Sequence, residues 1–268
     1  MPELVEVEIL KRNLTKEILG KKINKVEVFL DKIVYNKKEY FIKNIENKLV
    51  TDVIRKGKWL FIGLEGLFLV IHFRMEGRLF LKNMKDLYDR HDYVVFTFDK
   101  FKLYYNDSRL FGKMEIIKKD QLDDFVKDKK LGIEYDDELL TSKYLKNKFV
   151  KHHVGIKKML LDQSYITGIG NIYADEILFE SKINPRNYAN DLSNKNLSDI
   201  IKNTKKVFAA SLEKNGTYLD IYGKRGTFEQ LLMVHKRQGE KCYKCGSLII
   251  KEKIGGRGTY YCPICQKM

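Results

Sequence analysis

Cysteine is scarce in this chain and confined to one end. The 268 residues contain four, Cys242, Cys245, Cys262 and Cys265, all within the last 27 positions. A disulfide framework running through the molecule is thereby excluded, and the body of the chain must be held by packing. Proline is equally rare. Three prolines and no low-complexity tract argue against long disordered linkers. No apolar run reaches membrane-spanning length, and residues 1–20 carry Glu and Lys throughout without an apolar signal core, so a cytoplasmic location off the membrane is expected. No internal repeat is present. Acidic residues are in deficit, 36 against 51 basic, for a net charge of +15 that suits a polyanionic partner. Lysine is spread widely beside abundant Asn, Ile and Tyr, so charge alone does not name that partner.

What the chain does contain is informative at both ends. The four cysteines read C-x2-C-x16-C-x2-C, the spacing of two knuckles that bring four thiolates to one tetrahedral zinc ion. Gly246 suits the turn that aims the thiolates inward. The alternative, two disulfides, requires an oxidising compartment that the missing signal core argues against. Four thiolates leave no open position for water, so the expected Zn2+ is structural.

The other end reads Met-Pro-Glu-Leu-Val-Glu-Val-Glu. Removal of Met1 exposes Pro2 as a secondary amine with a pKa of about 8, partly unprotonated at neutral pH and able to attack a carbonyl-like carbon. Glu3 beside it can shuttle protons. The plainer reading is a helix start, with Pro2 in the first turn and Glu3, Glu6 and Glu8 facing the helix dipole.

Between the ends, periodicity gives the organisation. Leu4, Val7, Leu10 and Leu14 at helical spacing predict a short helix over 3–14. Residues 24–30, 58–64, 67–73, 78–82, 93–98 and 101–105 read as short strands separated by turns such as Glu65-Gly66 and Asp99-Lys100, a pattern of sandwiches and barrels. Residues 142–150, 154–163, 170–182 and 194–214 read as helices, the last with Asp191, Ser193 and Asn194 as cap candidates. The expected fold is α+β and multidomain: an N-terminal strand-rich domain with its helix over 1–130, a helical domain over 131–232 and a cysteine module over 233–268.

With these features in order from residue 2 to residue 267, the chain resembles the formamidopyrimidine-DNA glycosylase and endonuclease VIII superfamily, and most closely the formamidopyrimidine branch, which opens Met-Pro-Glu-Leu-Pro-Glu-Val-Glu. The resemblance implies an N-terminal β-sandwich, a helix-two-turn-helix domain and a β-hairpin zinc finger. It implies a monomeric bacterial base-excision-repair enzyme, associated with nucleoid DNA. Such an enzyme removes oxidised purines from double-stranded DNA and cleaves the abasic site by β,δ-elimination, using no redox or nucleotide cofactor.

The resemblance also assigns residues. Pro2 is the nucleophile and Glu3 the acid. Lys58, in Arg-Lys-Gly-Lys-Trp-Leu, falls on an essential lysine that pairs with phosphate and assists proton transfer. His72 and Met75, in His-Phe-Arg-Met-Glu-Gly-Arg, match an intercalation loop: Met75 fills the hole left by the extruded base and His72 contacts phosphate. Asp107-Ser-Arg-Leu-Phe-Gly matches a loop in which Arg109 pairs with the orphaned base and Phe111 wedges beside it. Asn171, in Thr-Gly-Ile-Gly-Asn-Ile-Tyr-Ala-Asp-Glu, is expected at a phosphate, as is Arg257 on the hairpin between the cysteine pairs, and Lys157 in the preceding helix aligns with a further DNA-binding lysine of the family. Glu6 is a candidate contact to the base or sugar, or a first-turn carboxylate. The chain departs from the family at Val5, Glu76, His235, Lys236 and Lys241, and in a shortened 217–228 segment. The shortened segment leaves open the same chemistry on oxidised pyrimidines or bulky adducts; an inactive lesion-binding relative could lose Pro2 or Glu3, and the presence of both disfavours it.

Overall fold

A computed structural model describes residues 2–267. It divides into two compact units, Met1–Lys129 with Asn215–Gly226, and Lys130–Lys214 with Thr227–Met268. Met1, whose removal the proline chemistry requires, lies outside the described residues.

The first unit opens with α1 (Leu4–Ile18), which turns Val7, Leu10, Leu14 and Ile18 into the core. Its polar side is tied down by Glu8, which bonds Arg12 at 2.9 Å and Arg55 at 3.1 Å. Partial burial of the Glu8 carboxyl is outweighed by these two guanidinium groups, which hold its pKa below the usual range. Two four-stranded antiparallel sheets follow. One has the order β1 (Lys25–Val28), β6 (Asp92–Thr97), β7 (Phe101–Asn106), β5 (Arg78–Asn83); the other β2 (Asp52–Lys56), β3 (Trp59–Leu64), β4 (Leu67–His72), β8 (Lys113–Lys118). Both turn apolar residues to a common core, Val94, Phe96 and Leu103 from one and Leu60, Leu69 and Ile71 from the other, so the expected sandwich is formed.

Four elements of this unit go unread in the sequence: β2, β8, α2 (Lys38–Ile45) and α3 (Leu122–Asp128). The two helices are short, and each is anchored by one or two residues, Phe41 and Ile45 in α2 and Phe125 in α3. Phe125 meets Trp59 and Phe61 edge-on at 5.0 and 5.5 Å, which explains why β3 is buried on both faces.

In the second unit, α4 (Ser142–Phe149), α5 (Ile156–Leu161), α6 (Asn171–Glu180) and α7 (Asn194–Glu213) match the expected helices, with ends drawn in by one to two residues except at the starts of α4 and α7. Ser193 is the cap of α7, accepting from Asn196 N–H at 3.1 Å. The hairpin of β9 (Ile250–Ile254) and β10 (Arg257–Tyr261) turns through Gly255 and Gly256 at φ +57° and +79°, the two positive angles a type I′ turn needs. It packs with the cysteine knuckles on Phe179 of α6.

The division into domains differs from the sequence reading in one respect that matters for function. Asn215–Gly226, expected in the helical domain, belongs with the sandwich unit. Ile221 is fully buried in the sandwich core, its carbonyl accepts Leu81 N–H at 2.8 Å, and Tyr222 donates to Glu17 at 2.7 Å.

Candidate functional site

The start of α1 carries the first group of residues. Pro2 and Glu3 are both buried, with Glu3 as the N-cap. Glu3 N–H donates to Glu6 Oε2 at 2.9 Å as part of a capping box, which fixes how the chain enters the helix. Glu6 Oε1 accepts from Thr217 N–H at 3.1 Å and Thr217 Oγ1 at 3.0 Å. Gly216 lies so close that a Cβ there would meet Glu6 Oε1 at 2.9 Å. The Glu6 carboxylate therefore joins the helix start to the 215–226 segment, and a small pocket beside it is lined by Ile9, Leu10, Tyr218 and Leu219.

Lys58 lies in the two-residue turn between β2 and β3, after Gly57 at φ +54°, and is buried. Beside that turn, in the neighbouring β3–β4 hairpin, His72 pairs with Trp59 and meets its ring edge-on at 4.4 Å. Its Nδ1 accepts Arg74 N–H at 3.0 Å, which leaves the ring proton on Nε2. Burial, with the charges of Arg74 and Lys58, pushes the His72 pKa down to about 3. The ring is thus a neutral donor at physiological pH. Met75 follows in the same loop, half-buried, after Arg74 at φ +53°.

The 107–112 loop is organised by one buried carboxylate. Asp107 Oδ1 accepts from Arg109 and Leu110 N–H at 3.0 and 3.1 Å, and Oδ2 from Gly112 N–H at 2.8 Å. With the backbone so tied, Arg109 and Phe111 are left exposed, the guanidinium 5.2 Å from the ring centroid.

In the second unit, Arg257 is exposed beside the hairpin turn, as expected. Asn171, the first residue of α6, donates to Gly258 O at 3.0 Å. Lys157 departs from the expectation of a DNA contact. It is fully buried, and its Nζ bonds Asp175 Oδ1 at 2.7 Å, Thr259 Oγ1 at 2.8 Å and Gly258 O at 3.1 Å. Asp175 Oδ2 in turn contacts His235 Nδ1 at 2.7 Å and accepts Tyr260 N–H at 3.3 Å. A buried ammonium so engaged cannot face a strand of nucleic acid; it latches the hairpin to α5 and α6. Next to it, Glu176 accepts the N–H groups of Met233, Val234 and His235, and burial raises its pKa against those three donors. Asp175 and His235 were missed because nothing local marks them. The first is one acid in an apolar helix, and the second is 60 residues away in sequence.

The four cysteine sulfurs all lie within 4.8 Å of one another, with Cys242 to Cys265 at 3.9 Å and Cys245 to Cys262 at 3.4 Å. A tetrahedral zinc with bonds of about 2.3 Å requires sulfurs roughly 3.8 Å apart. Lys244 N–H and Cys265 N–H point at the sulfurs of Cys242 and Cys262, at 3.4 and 3.3 Å, a donor set suited to thiolates. The site fits one structural zinc.

Two outcomes follow from this geometry. Lys157→Met is expected to lower stability by about 3–5 kcal/mol, because it strands Asp175. Measured at a temperature where the variant is folded, it should leave the salt dependence of DNA binding unchanged, whereas Arg257→Ala should reduce the log–log slope by about 1. Urea unfolding across pH 7 to 4 tests His72. Its depressed pKa contributes stability that is complete above pH 6.5 and is lost as pH falls toward about 3, at up to about 1.4 kcal/mol per pH unit. His72→Asn should flatten that slope.

Comparison with known proteins agrees with this layout. Family models match residues 1–114 (formamidopyrimidine-DNA glycosylase N-terminal domain), 131–222 (its H2TH domain) and 239–267 (a zinc finger found in FPG and IleRS). Curated relatives named formamidopyrimidine-DNA glycosylase include those of Pelotomaculum thermopropionicum, 38% identical with all of both chains covered, and Lactobacillus acidophilus, 39% identical with 99% of each covered. Among solved structures, the Lactococcus lactis FPG mutant G226P in complex with a Fapy-dG containing DNA matches at TM-score 0.96 and 33% identity, covering all of both chains. A complex of the Lactococcus lactis protein with abasic-site DNA matches at TM-score 0.96 and 33% identity, covering 99% of this chain and 100% of the other. The chain belongs to the formamidopyrimidine-DNA glycosylase family.

Proposed function

We propose that this protein is a bifunctional DNA glycosylase and AP lyase of base-excision repair, acting as a monomer on oxidised purines in double-stranded DNA. The observation that carries the reading is the buried start of α1, where Pro2 and Glu3 stand together and Glu6 fixes the backbone that bears them. A reactive amine needs such a setting, because a mobile terminus is rarely aligned with its target.

Basic surface engages the phosphates without regard to sequence. The damaged nucleotide leaves the stack, since its sugar carbon is unreachable inside the duplex, while Met75, Arg109 and Phe111 take up the space. Arg109, exposed and planar, offers its donor fork to the orphaned base. His72 donates Nε2–H to a phosphate as a neutral group, and Lys58 pairs with phosphate. In the second unit, Arg257 and Asn171 hold a phosphate near the lesion.

The amine of Pro2 attacks C1′. The glycosidic bond breaks, and its electron pair leaves with the base, which gains a proton. Glu3 protonates the ring oxygen as the sugar opens, leaving an iminium between Pro2 and C1′. That cation acidifies the C2′ hydrogen. Its loss expels the 3′ phosphate, and a second elimination expels the 5′ phosphate. Hydrolysis of the iminium then frees the enzyme. Four thiolates leave zinc no open position for any of these steps, and it holds the hairpin that carries Arg257. The setting is the cytoplasm, on nucleoid DNA.

A duplex with 8-oxoguanine opposite cytosine, incubated with borohydride, tests the reading. The wild-type protein is expected to become covalently attached and to nick the strand, and Pro2→Gly to give little adduct. Glu3→Gln should cut base excision by about 10²–10⁴-fold. An adduct formed on an abasic duplex but not on 8-oxoguanine would keep the amine chemistry and overturn the assigned lesion.

A further inference from the structure

Two loops of the sandwich unit carry the side chains assigned to the vacated stack, Met75 on one and Arg109 with Phe111 on the other. They are far apart in sequence but meet at one buried residue. Tyr105, fully buried near the end of β7, pairs with Leu79 at the start of β5, which places its ring beside the end of the first loop. Its hydroxyl lies 3.4 Å from Asp107 Oδ2, the oxygen that also receives Gly112 N–H at 2.8 Å. The same hydroxyl fills the space that side chains at two glycines would need. A Cβ on Gly77 would stand 2.6 Å from it, and one on Gly112 only 1.7 Å. One oxygen is thus wedged between the closing residue of each loop.

We propose that Tyr105 is a positioning residue shared by the two loops, its hydroxyl setting the spacing of Met75 from Arg109 and Phe111 so that the three enter the stack as one unit. Three further observations agree. Each loop has a non-glycine residue held at positive φ, Arg74 at +53° and Leu110 at +58°, a conformation that persists only where surroundings impose it. The Tyr105 ring also lies against Phe73, at 6.4 Å between centroids, directly before the first loop. Burial and the Asp107 carboxylate raise the phenol pKa far above its ordinary value, so the hydroxyl remains a donor. Removing that oxygen leaves a gap between Gly77 and Gly112 and takes one donor from Asp107, while the residues of the amine chemistry are untouched.

The inference rests on the wedge role proposed above, and the experiment separates the two. Tyr105→Phe, Met75→Ala and wild-type protein are mixed with a duplex bearing a tetrahydrofuran abasic analogue opposite 2-aminopurine, whose fluorescence reports displacement of the opposite base. The same proteins are assayed for borohydride adducts on single-stranded abasic DNA, which has no stack to fill. Tyr105→Phe is expected to slow displacement by about tenfold, as Met75→Ala does, with single-strand adduct formation unchanged. Wild-type displacement in Tyr105→Phe beside slow displacement in Met75→Ala would overturn the coupling. So would equal losses on both substrates, which report a general packing defect. Wild-type displacement in Met75→Ala would instead overturn the wedge role itself, and the coupling with it.

Discussion

One buried carboxylate carries the arrangement at the start of the chain. Glu6 is placed where the first turn of α1 presents unpaired amides, and the helix dipole there favours a negative charge. Its oxygens are occupied by Glu3 N–H on one side and by the amide and hydroxyl of Thr217 on the other. A carboxylate away from water is tolerated only when such donors surround it. The consequence is mechanical. The residues proposed to supply the amine and its acid are bound to a segment 211 positions away, and that segment is anchored in the sandwich by Ile221. Glycine at 216 is part of the same constraint, since a side chain there would collide with the carboxylate.

The two units use one design on different scaffolds. In the sandwich, Asp107 draws three backbone amides inward and leaves Arg109 and Phe111 outside. In the helical unit, Asp175 gathers Lys157, His235 and an amide of β10, and Arg257 is left outside. In each case a buried acid with its donors in place fixes the backbone, and an arginine is left exposed. Preorganisation of this kind lets a long cation bind without first being ordered. Zinc completes the second case: the four thiolates close the base of the hairpin, and the latch holds its flank.

Much of this was legible in the sequence, for identifiable reasons. The cysteine spacing determines a tetrahedral site almost by itself, and helices with strong periodicity or a Ser cap, such as α1 and α7, are read from local signals. Short elements such as α2 and α3 carry too few apolar residues for their period to stand out. The Asn215–Gly226 segment follows α7 in the chain and carries no local mark of its packing, which takes Ile221 into the sandwich unit. The sequence context of Lys157 does not reveal its burial, because its partners come from positions 175, 258 and 259. The sequence admits two roles for Glu6, and the structural one rests on its tertiary contact with Thr217. The histidine at 235 is a departure from the family pattern that the fold uses, as the third member of the latch.

The central claim is that the nitrogen of Pro2 carries the chemistry. It is tested most directly by digesting the borohydride-trapped complex and locating the sugar remnant by mass spectrometry. The account requires the remnant on the N-terminal peptide, at the proline nitrogen, in a chain that has lost Met1. A remnant on the side chain of a lysine, Lys58 foremost, with the N-terminal peptide unmodified, would contradict it.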